Sequence, residues 1–201
     1  DIKNPSIYLI PPAIDPLSLK NNTLKKERIR GILDRYGIDG TRPIISQVSR
    51  FDPWKDPWGV IDVYKDLKQY RAGLQLLMIG SMADDDPEGW DIYRQLQEKA
   101  KGDNDIHFLT NLDGVSDIQV NAFQRASDVI LQKSTREGFG LVVSEGLWKE
   151  KPMVAGAVGG ITMQIIDGEC GFLANSNSEY VDKVERLLDN PQLASQMGSQ
   201  G

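Results

Sequence analysis

The sequence predicts an α/β fold built on a doubly wound parallel sheet. Three observations predict it. Short, nearly continuous apolar runs recur along the chain, and the intervals between them carry stripes of helical period. One of those runs leads into a glycine-rich bend flanked by carboxylates. Continuous apolar runs suit strands covered on both faces. Their alternation with helices joins parallel strands through crossovers. In such a sheet, ligands bind beyond the carboxyl ends of the strands, where the strand order reverses.

A strand-like run at 6–10 opens the chain, and residues 11–26 read as irregular and exposed, followed by a charged helix up to Tyr36. Strands are expected at 44–48, 74–79, 106–109, 128–132 and 152–155, with a weaker sixth at 171–174. Val60, Val63, Tyr64 and Leu67 recur at i, i+3, i+4 and i+7, which turns one helical stripe toward the sheet. Val181, Val184, Leu187 and Leu188 repeat that pattern near the end. Asp86 followed by Pro87 is a helix start, a capping carboxylate before a proline at the first helical position. The residues after Gly140 are apolar on most sides, which predicts a buried helix. The chain opens at Asp1 without an initiator methionine and stops in a polar tail at 196–201, so it reads as a piece of a longer protein.

Composition narrows the function. A chain of 201 residues suits one large domain, with two small ones as the alternative, and at this size roughly 70% of the unfolded surface is buried without help from disulfide or metal. The net charge of −6 argues against a general nucleic-acid binder, which shows a basic face. No apolar run approaches the ~20 residues of a membrane span. The single cysteine, Cys170, has no internal partner, which favours a reducing compartment and a cytoplasmic location.

The stretch from Arg136 to Glu145 is the most informative. Glu137 and Glu145 stand eight residues apart, with Gly138 and Gly140 between them. The glycines let backbone N–H groups approach a ligand, and the helix start favours an anion there. The two glutamates can accept hydrogen bonds from sugar hydroxyls. If the helix starts near Gly140, Glu145 lies ~8 Å along its axis while Glu137 stays in the loop. The layout suits a ligand carrying both phosphate and sugar, although a capping carboxylate and a buried helix glutamate would leave the same signature.

Arg50 and Lys55 sit in the loop directly after the strand ending at Val48. Two cations there could clamp a diphosphate, each charge-assisted bond contributing roughly 1.5–3 kcal/mol. Solvated surface charges are the alternative. Gly159-Gly160 resembles a backbone anion nest, or a tight loop with no ligand. Asp84-Asp85-Asp86 matches an Asp-x-Asp metal pattern but is better explained as an acidic helix start. No dinucleotide or P-loop glycine motif is present. One histidine, His107, and one cysteine make a zinc site from those ligands untenable, and His107 reads as a satisfied strand histidine.

Taken in order, the Arg50/Lys55 loop, the Glu137–Glu145 stretch, Val158-Gly159-Gly160 and the run from Asp167 to Leu173 resemble the C-terminal donor-binding domain of family-4, retaining, GT-B glycosyltransferases. The resemblance is nearest to the trehalose synthases of the glycosyltransferring type, through the segments 10–16, 47–55, 86–90 and 121–128. It implies a Rossmann-like half of a GT-B fold spanning 1–201, with the acceptor-binding N-terminal domain absent. It implies that Arg50 and Lys55 hold the diphosphate, Glu137 touches a hydroxyl of the transferred sugar, and Glu145 bonds the ribose. The backbone of Phe139, Gly140 and Leu141 would contact sugar and phosphate, and Leu112 would lie near the base. The catalytic set implied is Arg50, Lys55 and Glu137. The donor would be UDP-, ADP- or GDP-glucose, the acceptor glucose, with no metal or other cofactor required. A homodimer is possible in the full-length enzyme. The rival readings are a sucrose or sucrose-phosphate synthase type of transferase, a non-catalytic nucleotide-sugar-binding module, and an epimerase whose acid/base residues are not found. The family usually has Ala where this chain has Gly146, at about 1 kcal/mol of helix propensity.

Overall fold

The computed structural model describes residues 8 and 10–201. Six strands form one sheet in the order β3-β2-β1-β4-β5-β6. They are β1 (Ile44–Val48), β2 (Gln75–Ile79), β3 (Ile106–Leu109), β4 (Val129–Gln132), β5 (Met153–Gly156) and β6 (Phe172–Ala174). Every pairing is parallel. The order reverses between β1 and β4, which makes the gap beyond their carboxyl ends the switch point of a Rossmann-like sheet. All five expected strands form, and the weaker run at 171–174 is the sixth. The expected strand at 6–10 falls mostly outside the described residues; Tyr8 and Ile10 are exposed and not in a strand.

The helices are α1 (Lys26–Arg35), α2 (Pro57–Lys68), α3 (Pro87–Ala100), α4 (Asp117–Ala126), α5 (Leu141–Trp148), α6 (Asn177–Asp189) and α7 (Pro191–Ser199). The α2 stripe of Val60, Val63, Tyr64 and Leu67 is wholly buried and shares one core with Val184 and Leu187 of α6. Each such aliphatic side chain contributes roughly 1.5–3 kcal/mol on burial. A second core under α1 and α4 covers the other face, where Phe123 stacks edge-on to Tyr36 at 5.3 Å. Asp86 caps α3 by accepting from Gly89 N at 2.9 Å.

Two expectations need correction. The tail at 196–201 is not simply polar coil, because α7 runs through Ser199 with Met197 buried. Asn190 caps it and Pro191 starts it, a signal as clear as the one at Asp86-Pro87. Nor is 11–26 merely exposed. Asn21 is buried, and Asn121 of α4 donates to the carbonyls of Leu19 and Asn22 at 2.9 and 2.8 Å. Backbone groups held this way are docked against the domain.

Candidate functional site

The loop after β1 is shaped by two aspartates. Asp52 accepts from Trp54 N at 2.7 Å and caps a short 3-10 helix, Pro53–Lys55. Asp56, left-handed at φ 39°, accepts from Gly59 N at 3.1 Å and starts α2. This double cap turns Lys55 across the switch point. Its Nζ lies 2.5 Å from Glu137 Oε2, on the loop after β4. Gln47, buried in β1, ties the two loops together. It donates to Lys55 O at 2.9 Å and accepts from Lys133 N at 2.8 Å. Arg50 stays outside, 70% exposed, with its guanidinium 2.7 Å from Asp52. The two cations therefore share the loop but not the same environment.

The loop after β4 answers the first. Thr135 N donates to Trp54 O at 2.8 Å, and the Arg136 guanidinium lies 4.3 Å over the Trp54 ring. Gly140, at φ 86°, makes the left-handed step into α5. The amides of Gly138, Phe139, Gly140, Leu141 and Val142 donate to no described acceptor. Gln164 donates to Phe139 O at 2.5 Å, and its Oε1 accepts from Ser144 at 2.6 Å. With its carbonyls drawn toward Gln164, the bend leaves its amides as the unsatisfied face.

The Gly159-Gly160 pair does something other than form a nest. It opens a 3-10 turn, and Gly160 N donates to Gly138 O at 3.2 Å. A Cβ on Gly159 would meet Glu137 O at 1.8 Å, and one on Gly160 would meet Phe139 Cα at 2.5 Å. These glycines let the loop after β5 lie directly against the bend that carries Glu137.

Two cavities meet here and share Arg50. One, of about 630 Å³, lies over Lys55, Arg136, Glu137 and Gly138. The other, of about 320 Å³, lies over Ser49, Gly80, Asn111 and Val142. Together they run from the β2 side of the switch point to the β5 side, room for an elongated ligand. Glu145, on α5, is buried with Oε1 2.9 Å from Lys20 Nζ and Oε2 3.2 Å from Gln124 Nε2. Its partners are side chains from distant segments, not the backbone donor that a simple buried helix glutamate would use. Lys149, one turn on, donates to Asn21 Oδ1 at 2.9 Å. Burial pushes its pKa down to about 8, against the opposing pull of Glu145.

Leu112 lies in a 3-10 turn after β3, 57% exposed, and its N–H already donates to Thr110 Oγ1 at 3.2 Å. His107 is not a satisfied strand histidine: its buried Nε2 has no partner among the described residues, and burial lowers its pKa. Among the described residues, no three His, Cys, Asp or Glu side chains gather as a metal site. Lys20, Gln124, Arg136 and Gln164 line the candidate site or bond its residues, and none of them was given a site role from the sequence. Only Arg136, next to Glu137, carried a readable signal.

A Rossmann-like parallel sheet with this switch-point cleft is one half of a GT-B glycosyltransferase fold. The chain belongs to the glycosyl transferases group 1 family, whose family model matches residues 29–201. It is 53% identical over 191 residues to a trehalose synthase of Pyrococcus horikoshii, covering 95% of this chain and 46% of that one. It is 52% identical over 200 residues to a trehalose synthase of Rubrobacter xylanophilus, covering 100% and 48%. The chain thus spans about half the length of the curated relatives it matches. Among solved structures it is similar to Anabaena HepE in complex with UDP-glucose, at a TM-score of 0.73 and 22% identity, covering 88% and 47%.

Proposed function

We propose that residues 1–201 form the donor-binding half of a retaining glucosyltransferase, and that the full-length enzyme joins nucleotide-diphosphate glucose to glucose to make trehalose. The observation that carries this reading is the meeting of Lys55 and Glu137 at 2.5 Å across the switch point, beside a bend of unclaimed amides. A diphosphate placed there gains the Lys55 ammonium and the amides of Phe139, Gly140 and Leu141. Arg50 swings from Asp52 to close over it. The negative charge that builds on the departing nucleoside diphosphate as the glycosyl C–O bond breaks is then stabilised by fixed donors, the electrostatic work that a metal does elsewhere. Displaced from Lys55, the Glu137 carboxylate is left to accept from a hydroxyl of the transferred sugar. Glu145 accepts from the ribose, and the base lies toward Asn111 and Leu112. The acceptor, and the wall that excludes water, belong to the other half.

Calorimetric titration with UDP-glucose, ADP-glucose and GDP-glucose tests this. At least one should bind, and Lys55→Ala or Arg50→Ala should weaken it by about tenfold to a hundredfold, the loss of one charge-assisted bond. Absence of heat from all three would withdraw the reading. Trehalose formation by the 201-residue chain alone would overturn the division of labour between halves.

A further inference from the structure

Lys20 reaches Glu145 from a segment that lies before the residues the family model matches. The backbone around it is fixed. Asn121 holds the carbonyls of Leu19 and Asn22, and Lys149 holds the side chain of Asn21. Lys20 is thereby delivered to the wall of the 320 Å³ cavity that also contains Arg50 and Asn111. The Lys20 side chain is part exposed, while that of Glu145 is almost wholly buried. An ammonium has three donors. One is spent on Glu145 Oε1 at 2.9 Å, and Lys20 lines the cavity, where the others can meet a ligand. Glu145 is acceptor-only when ionised, with Gln124 fixing its other oxygen.

We propose that Lys20 is a specificity-determining residue that, together with Glu145, recognises the ribose diol of the donor. Glu145 accepts from one hydroxyl while Lys20 donates to the oxygen of its neighbour. The couple supplies one acceptor and one donor at adjacent positions, which a cis-diol matches and a 2′-deoxyribose does not. A site built to bond a hydroxyl rejects the analogue that lacks it, because its buried polar groups are then left unpaired. The inference rests on the donor-site reading of Glu145.

The test is titration of the chain with UDP, ADP and GDP, then with the 2′-deoxy form of whichever binds most tightly. Wild type should prefer the ribose form by about tenfold or more. Lys20→Met should lose about tenfold for the ribose form while leaving the deoxy form within about threefold. Lys20→Arg should recover most of the loss. A Lys20→Met variant that weakens both forms equally, or neither, overturns the assignment while the donor site stands. If wild type binds none of the three diphosphates, the donor-site reading falls and this assignment falls with it.

Discussion

Lys55 already has an anionic partner before any ligand arrives. Its ammonium and the Glu137 carboxylate are both largely buried, and Gln132 and Ser134 also point donors at the same carboxylate oxygen, at 3.4 and 3.3 Å. A diphosphate must therefore compete with Glu137 for Lys55. Glu137→Gln keeps the shape and removes the competing charge. We expect it to tighten binding of the bare nucleoside diphosphate by roughly threefold to tenfold, since a partly buried charge-assisted bond no longer has to be given up. The nucleotide sugar should gain less, because the substitution also weakens the acceptor for its hydroxyl. Titrations of diphosphate and diphosphate-glucose against both proteins measure the two effects, and equal gains for the two ligands would speak against a sugar contact at Glu137. The sequence could bring Lys55 and Glu137 near each other because each follows an apolar strand. Lys20 escaped it, since a pairing over such separation leaves no local pattern.

Helix α5 follows the glycine bend and carries Glu145, and its packing accounts for a glycine at position 146. A Cβ on Gly146 would meet Met153 Sδ at 2.6 Å and Ile130 Cδ1 at 3.3 Å, both in buried strands. Glycine allows α5 to sit close to β4 and β5. Gly146→Ala would gain about 1 kcal/mol of helix propensity but overpack a filled core, which costs about 1–3 kcal/mol. The expected net is a destabilisation of about 1 kcal/mol, read from urea midpoints. Gly146→Ala combined with Met153→Val should recover it, because the thioether that blocks the new methyl is gone. A stabilised single variant would show that the core yields more readily than this packing implies. The helix expected to be buried is so at Val143 and Leu147, yet Leu141 and Trp148 at its ends are exposed. Composition reports how apolar a segment is; which of its ends faces a cleft depends on the strands beneath it.

The sheet as a whole was legible because each strand is a local apolar run, and α2 and α6 because their stripes repeat within a few residues. What joins distant segments was not, and the same long-range contacts set how stability varies with pH. At the amino ends of β1 and β3, Arg42 lies 2.7 Å and Lys68 2.5 Å from Asp105. Arg42 first, then Lys68, holds the Asp105 carboxyl down at about 2, against desolvation. The folded value lies below the unfolded one, so this contribution is complete above pH ~4 and is lost as pH falls toward 2. Lys149 acts at the other end. Its pKa of about 8 lies below the unfolded value of 10.5, so between those limits the unfolded chain binds more protons and stability rises with pH. Lys151, also lowered by burial, adds to the rise. Above pH ~10 the sign reverses. Burial raises the pKa of Tyr64 and Tyr180, so the folded phenols keep protons that the unfolded chain has lost. Urea midpoints measured from pH 2 to 11 should fall steeply below pH ~4, climb between pH ~8 and ~10, and drop beyond. Lys149→Met removes the main titrating group of the alkaline climb and should flatten it while leaving the acid limb in place. A climb of undiminished height in that variant would assign it to groups other than the buried ammonium beneath Asn21.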